Sequence, residues 1–234
     1  MIIISYGITK SGSTLAFEMA KAALELAGHP QDLLADDLVP GYDINVVMAW
    51  SDEALLRLID AAEGRRVAIK THGALWGVNL DLVREKIASG DVKVHVVYRD
   101  PREMLISMLD HGVRARAGTD VAFRDTWTLD DAIRRLGVQI YWFTHWASLP
   151  ALRLRYQDFA FDPTFGPRAI ADDIGVDVDP ARIWEIMNTR FTQKNEAVPD
   201  RYKTDLWPDE LERIEKAFPL FLELVQGNDL GWFS

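Results

Sequence analysis

The sequence predicts an α/β fold of three layers, with a central parallel sheet flanked by helices. Three observations predict it. Short apolar runs alternate with segments whose apolar residues recur at helical spacing, as in strand–helix–strand units. A glycine-bearing run, Tyr6-Gly7-Ile8-Thr9-Lys10-Ser11-Gly12, joins the first apolar run to the first helical pattern. No repeat, low-complexity tract or Ser/Gly-rich linker interrupts the chain, so residues 1–234 read as one domain.

The first strand is placed at Ile2–Tyr6, an apolar run far too short for a signal peptide or a membrane span. The first helix runs from about Ser13 to Ala27, with Leu15, Met19, Ala23 and Leu26 on one stripe, and Gly28-His29-Pro30 stops it. A helix is expected near Asp52–Glu63, then a strand at Arg66–Thr71 and a helix at Leu80–Ala88. The third strand is Val92–Tyr98. The helix after it announces its own start, with Asp100 as N-cap, Pro101 at the first helical position and Glu103 completing a capping box. Helices near Leu129–Trp146, Pro180–Asn188 and Pro208–Val225 and a strand at Ala151–Arg155 complete the pattern, and Pro219 is expected to bend or interrupt the last helix.

Composition excludes several classes of function. The 234 residues include no cysteine, which removes disulfides, thiolate metal sites and cysteine nucleophiles. A formal charge of −10 and a pI near 5.0 argue against a nucleic-acid partner. The expected setting is cytoplasmic, with no membrane association, as a monomer or homodimer. An acidic protein can still hold an anion where a few Lys and Arg converge with backbone N–H groups.

The glycine run is the most informative segment. Gly7 and Gly12 have the spacing of a Walker A loop, G-x-x-x-x-G-K-[ST], and the run follows a strand and opens a helix. The lysine that should follow the second glycine is absent: Ser13 takes its place, followed by Thr14, and the loop's lysine is Lys10. In a nucleoside triphosphatase that missing lysine reaches the β and γ phosphates. Its loss disfavours an ATP-dependent P-loop kinase. A donor with one 5′ phosphate–sulfate linkage can still use Lys10 and the backbone cradle. Arg99 closes the third strand, eight positions before Ser107 in the following helix, and an Arg fork suits a second phosphate.

Lys10-Ser11-Gly12-Ser13-Thr14 resembles the K-S-G-[ST]-T loop with which sulfotransferases dependent on 3′-phosphoadenosine-5′-phosphosulfate (PAPS) grip the donor's 5′ end. Tyr98-Arg99-Asp100-Pro101-Arg102-Glu103-Met104-Leu105-Ile106-Ser107 resembles their second motif. The resemblance extends to cytosolic-type and short bacterial members. It implies a P-loop nucleotide-hydrolase-like sulfotransferase fold. Lys10, Ser11, Gly12, Ser13 and Thr14 would bind the 5′ phosphosulfate, and Arg99 and Ser107 the 3′ phosphate. Tyr156 and Asp158, in Tyr156-Gln157-Asp158-Phe159, resemble the family's Y-E-D-L element, in which the tyrosine lies near the adenine. Leu15 stands where the family often has Trp. The family's basic R-K-G loop is replaced by Lys194-Asn195-Glu196-Ala197-Val198-Pro199-Asp200-Arg201-Tyr202-Lys203, within which Arg201 and Lys203 are the candidate substitutes.

Lys70-Thr71-His72 ends the second strand, at the carboxyl edge where open parallel sheets bind ligands. An imidazole suits proton removal near neutral pH. The triplet resembles the family's K-T-H element, which makes His72 the catalytic base and Lys70 a contact to the sulfuryl oxygens, with Lys10 stabilising the leaving phosphate. No metal cluster is apparent and none is required. The expected reaction is in-line sulfuryl transfer from PAPS to a hydroxyl or amine of a small-molecule acceptor, leaving 3′,5′-adenosine bisphosphate. Trp50, Trp76, Trp127 and the stretch from His111 to Trp127 are candidate linings for that acceptor. A non-catalytic nucleotide-binding protein is the second alternative.

Overall fold

The computed structural model describes residues 1–39, 44–118, 121–190, 198–228 and 231–232. Four parallel strands, β1 (Ile2–Gly7), β2 (Val67–Thr71), β3 (Val92–Tyr98) and β4 (Leu152–Arg155), form one sheet in the order β2-β1-β3-β4. Ile4 lies opposite Ile69 on one side and Val94 on the other. The chain leaves β1 for β2 on one flank and then crosses to β3 on the other. The carboxyl ends of β1 and β3 therefore flank a topological switch point, where departing connections leave a crevice. Beyond β2, Lys70 N–H donates to Asn45 O (2.8 Å) and Val47 N–H to Lys70 O (3.0 Å), so chain 45–47 covers that edge.

The helices are α1 (Ser13–Leu26), α2 (Asp52–Ala61), α3 (Leu80–Ala88), α4 (Pro101–Ala117), α5 (Leu129–Ala147) and α6 (Tyr156–Phe159). They continue with α7 (Phe165–Ile174), α8 (Pro180–Met187), α9 (Tyr202–Asp205), α10 (Pro208–Ala217) and α11 (Pro219–Gln226). Alternation along each strand sends side chains to two cores. Ile2, Ile4 and Tyr6 meet α2, α4, α5, α10 and α11, whereas Ile3, Ala68 and Val97 meet α1, α7 and α8. These are the three layers that the alternating pattern predicts. Tyr6 stacks on Trp146 at 4.9 Å between centroids, and Trp50 meets Trp146 edge-on at 5.6 Å.

Two expectations at helix ends need comment. Pro219 does interrupt the last helical stretch: α10 ends at Ala217 and Pro219 opens α11, where its missing N–H is not needed. Glu103 does not complete a capping box. Asp100 caps α4 by accepting from Arg102 N–H at 2.9 Å, while the Glu103 carboxylate turns to Arg99 and to α9. A buried guanidinium one turn away outcompetes a backbone N–H for that carboxylate, because the charged pair is the stronger hydrogen bond.

Candidate functional site

The loop from β1 to α1 is drawn tight. Ile8 N–H donates to Val97 O (3.3 Å) and Ser11 N–H to Ile8 O (3.0 Å), and both Lys10 (φ 69°) and Gly12 (φ 90°) adopt left-handed backbone. Gly12 needs its glycine for a second reason. A Cβ there would lie 2.4 Å from Cδ2 of Tyr156, whose ring lies against the loop. Likewise, a Cβ at Gly7 would lie 2.5 Å from Cβ of Ser13.

This loop feeds an uncapped helix. Gly12 offers α1 no side-chain cap and the first turn carries no carboxylate, whereas Ser51, Asp100 and Thr128 cap α2, α4 and α5. The first N–H groups of α1 have no intrahelical acceptor and carry the positive end of its dipole. Ser11 Oγ and Arg99 Nε are buried beside the loop without protein partners. These features fit an anion, and a phosphate would satisfy them.

Arg99, just beyond β3, crosses the switch point to the loop. Its Nη1 donates to Lys10 O (3.4 Å), its Nη2 to Glu103 Oε2 (2.8 Å), and its plane lies 4.2 Å from the Tyr156 ring centroid. Tyr156 opens the short helix α6, so it is wedged between Gly12 and Arg99. Ser107 is buried on α4. Residues 103, 107 and 111 follow at four-residue intervals, so Glu103, Ser107 and His111 form one stripe on that helix. Asp158 pairs with Arg155 (2.6 Å) and holds the turn that presents Tyr156.

The carboxyl end of β2 brings two more groups. Lys70 Nζ donates to Thr14 Oγ1 at 2.7 Å, and burial pulls its pKa down to about 8 against the raising influence of Glu18. His72 places Nδ1 2.6 Å from Gly7 O. A carbonyl only accepts, so Nδ1 carries the proton and the neutral ring keeps its lone pair on Nε2. Burial first, then the charges of Lys70 and Lys10, push the His72 pKa down to about 4, with the Gly7 hydrogen bond opposing. The charges of both lysines thus oppose protonation of this imidazole.

Lys10 reaches α4. Its Nζ bonds Nδ1 of His111, and it lies 5.0 Å from the centroid of the Phe123 ring. Gln139 of α5 accepts at Oε1 from Thr9 N–H (2.7 Å) and from Thr9 Oγ1 (2.8 Å). The sequence reading named the stretch from His111 to Trp127 only as an acceptor lining, and it missed the contacts of His111 and Phe123 with Lys10, the role of Gln139 and the pairing of Glu103. The four-residue spacing from Ser107 to His111, which sets both on one face of α4, is a signal in the sequence that could have found His111.

The remaining candidates part company. Arg201 pairs with Asp110 (2.8 Å) and Asp205 (2.6 Å), and exposed Lys203 pairs with Asp200 (2.5 Å), so carboxylates already engage both cations of the expected substitute loop. Tyr202 N–H donates to Glu103 Oε1 (3.2 Å), which ties α9 to the carboxylate that holds Arg99. Lys194, Asn195, Glu196 and Ala197 lie outside the described residues. Trp50 is a core residue, 5% exposed, with Nε1 bonded to Thr71 Oγ1 (3.0 Å). Trp76 and Trp127 are 58% and 68% exposed, Trp76 edge-on to Trp142 and Trp127 beneath Arg116. Among the described residues, no group of three or more His, Asp or Glu side chains is placed to hold a metal, and no helix is long and apolar enough to cross a membrane.

No curated protein matches the sequence. Among solved structures, a mouse sulfotransferase complexed with PAP is similar at 14% identity and a TM-score of 0.54, covering 98% of this chain and 86% of that one. A retinol dehydratase in a complex with retinol and PAP is similar at 15% identity and a TM-score of 0.50, covering 98% and 81%. Likenesses at such identities establish the fold, which is the P-loop-like sulfotransferase fold. The sulfotransferase domain model matches residues 1–213, spanning the loop, the switch-point arginine and the β2 terminus, and the chain therefore belongs to the sulfotransferase family.

Proposed function

We propose that this sulfotransferase transfers a sulfuryl group from PAPS to a hydroxyl or amine of a small molecule, with His72 as general base. One observation carries the reading: His72 is locked by Gly7 O in the tautomer that leaves Nε2 free to take a proton, at the end of the loop strand whose anion-ready turn follows. PAPS supplies the activated sulfuryl group, whose bond to the 5′ phosphate is the one that breaks. Ser11, Gly12, Ser13 and Thr14 would hold the 5′ end through the first turn of α1. Arg99 and Ser107 would hold the 3′ phosphate, with Tyr156 beneath the arginine. Arg201 and Lys203 belong to this set only if they exchange their carboxylate partners for phosphate.

His72 Nε2 accepts the acceptor's proton as its oxygen or nitrogen attacks sulfur. Lys10 offsets charge on the departing phosphate, and Lys70, held by Thr14, offsets charge on the sulfuryl oxygens. The work is positioning and electrostatics, which requires no covalent intermediate with the protein. Retinol in the similar dehydratase supports an acceptor of small-molecule size.

The test is a mass-spectrometric acceptor screen with PAPS, run beside His72→Ala. Transfer should fall at least ~100-fold in the variant, while 3′,5′-adenosine bisphosphate still raises its melting temperature. Parental transfer by His72→Ala would remove His72 as the base. Preferential stabilisation by Mg-ATP over the bisphosphate would remove the donor assignment.

A further inference from the structure

We propose that His111 is a positioning residue for Lys10, holding the lysine ammonium through Nδ1 and so fixing where its charge sits at the loop. The proposal rests on the role given to Lys10 above.

Lys10 is a poor residue to leave to itself. It is a non-glycine residue with φ at 69°, a conformation that persists only where surrounding contacts over-determine it. Three helices or strand ends supply those contacts. Gln139 takes both the N–H and the hydroxyl of the preceding Thr9, Arg99 donates to the Lys10 carbonyl, and His111 takes the side-chain ammonium. The backbone grips aim the side chain. The His111 contact fixes where its charge ends.

The chemistry of that contact is one-directional. An ammonium has donors only, so His111 Nδ1 accepts and the ring's own proton lies on Nε2. His72 has the opposite arrangement, with its proton on Nδ1. Phe123 closes the far side: its ring lies 5.0 Å from Lys10 Nζ and 5.2 Å from the His111 ring, with the Arg135 guanidinium 5.3 Å away. An aromatic face attracts the ammonium, so Phe123 helps to hold Lys10 where His111 receives it. His111 also continues the α4 stripe whose other members are Glu103, on Arg99, and Ser107. One helix face thus carries the supports of both cationic grips.

Two measurements test this. Long-range ¹H–¹⁵N spectra of the ligand-free protein should show His72 and His111 as opposite neutral tautomers. Lys10→Met should move the His111 Nδ1 resonance. An unmoved resonance, or His111 with its proton on Nδ1, overturns the proposal without any assay of transfer. In kinetics, His111→Phe should lower kcat by roughly tenfold with little change in the bisphosphate's dissociation constant. His111→Asn, whose Oδ1 can replace Nδ1 as acceptor, should recover most of the loss. His111→Phe should cost nothing further in a Lys10→Met background. If Lys10→Met itself transfers at the parental rate, the role of Lys10 is wrong, while the spectra still report whether the contact exists. If Lys10→Met is impaired but His111→Phe is not, His111 positions nothing.

Discussion

At the scale of single residues, the site is governed by where each polar atom is already committed. His72 spends Nδ1 on Gly7 and is held neutral by burial and two lysines. As the proposed base, His72 with a pKa of about 4 is unprotonated at all ordinary pH but weak, and Lys70, at about 8, loses its charge in mild alkali. The profile of kcat/KM for the donor reports the free enzyme, so it should be flat through neutrality, with limbs near about 4 and about 8. An anion on the loop offsets both lysines, so the acid limb of kcat should lie above that of kcat/KM. Coincident acid limbs would mean that bound donor does not reach the charges around His72. Arg99 gives a second prediction. Its fork is shared between Glu103, the loop and the ring of Tyr156, and a lysine cannot reproduce that geometry. Arg99→Lys should weaken the bisphosphate roughly tenfold or more and leave 5′-AMP nearly unaffected, as titration calorimetry would show. Equal losses for both ligands would take the 3′ phosphate away from Arg99.

At the scale of elements, helices α4 and α5 act as the mould against which the β1–α1 loop is cast. Gln139 is the contact of α5 with Thr9, and it is nearly buried. Gln139→Ala strands the Thr9 N–H and should cost about 1–3 kcal/mol in urea unfolding, together with weaker bisphosphate binding. Unchanged stability and binding would show that the loop keeps its shape unaided. The start of α4 was legible from Asp100-Pro101 alone, because an N-cap and a proline at the first helical position are local chemistry. Glu103 was misread for the complementary reason. Sequence spacing allows a capping box, yet the partner that wins is Arg99, presented by the end of β3 and buried with it.

At the scale of the molecule, the sheet is clamped on its α1 face by α7, and a part-buried polar contact joins the two. His95 of β3, fully buried, meets Asp173 of α7 at 3.1 Å, with Lys93 at 3.5 Å from the same carboxylate. Burial raises the Asp173 pKa, but the interactions with His95 and Lys93 outweigh it and hold the carboxyl below its ordinary value. A depressed carboxyl stabilises the fold above its unfolded value and withdraws that support as pH falls through the folded value. Unfolding free energy should therefore decline as pH falls below about 4, the unfolded carboxyl value, and Asp173→Asn should flatten that decline. An equally steep decline in the variant would place the acid sensitivity elsewhere.

The amino-acid sequence by itself determined the strands, the main helices, the glycine loop between β1 and α1, and the polar residues gathered at strand ends. All of these follow from periodicity, capping and short-range spacing, which are local properties of the chain. Tertiary structure alone decided which partner each charged or polar group takes: Gly7 for His72, Thr14 for Lys70, His111 for Lys10, Glu103 for Arg99, and carboxylates for Arg201 and Lys203. Several of these partners lie far apart in the chain, on strand ends and helix faces that only the strand order β2-β1-β3-β4 brings together. A long flexible cation bonds to whatever acceptor the fold delivers, and the fold is a property of the whole sequence rather than of any motif within it.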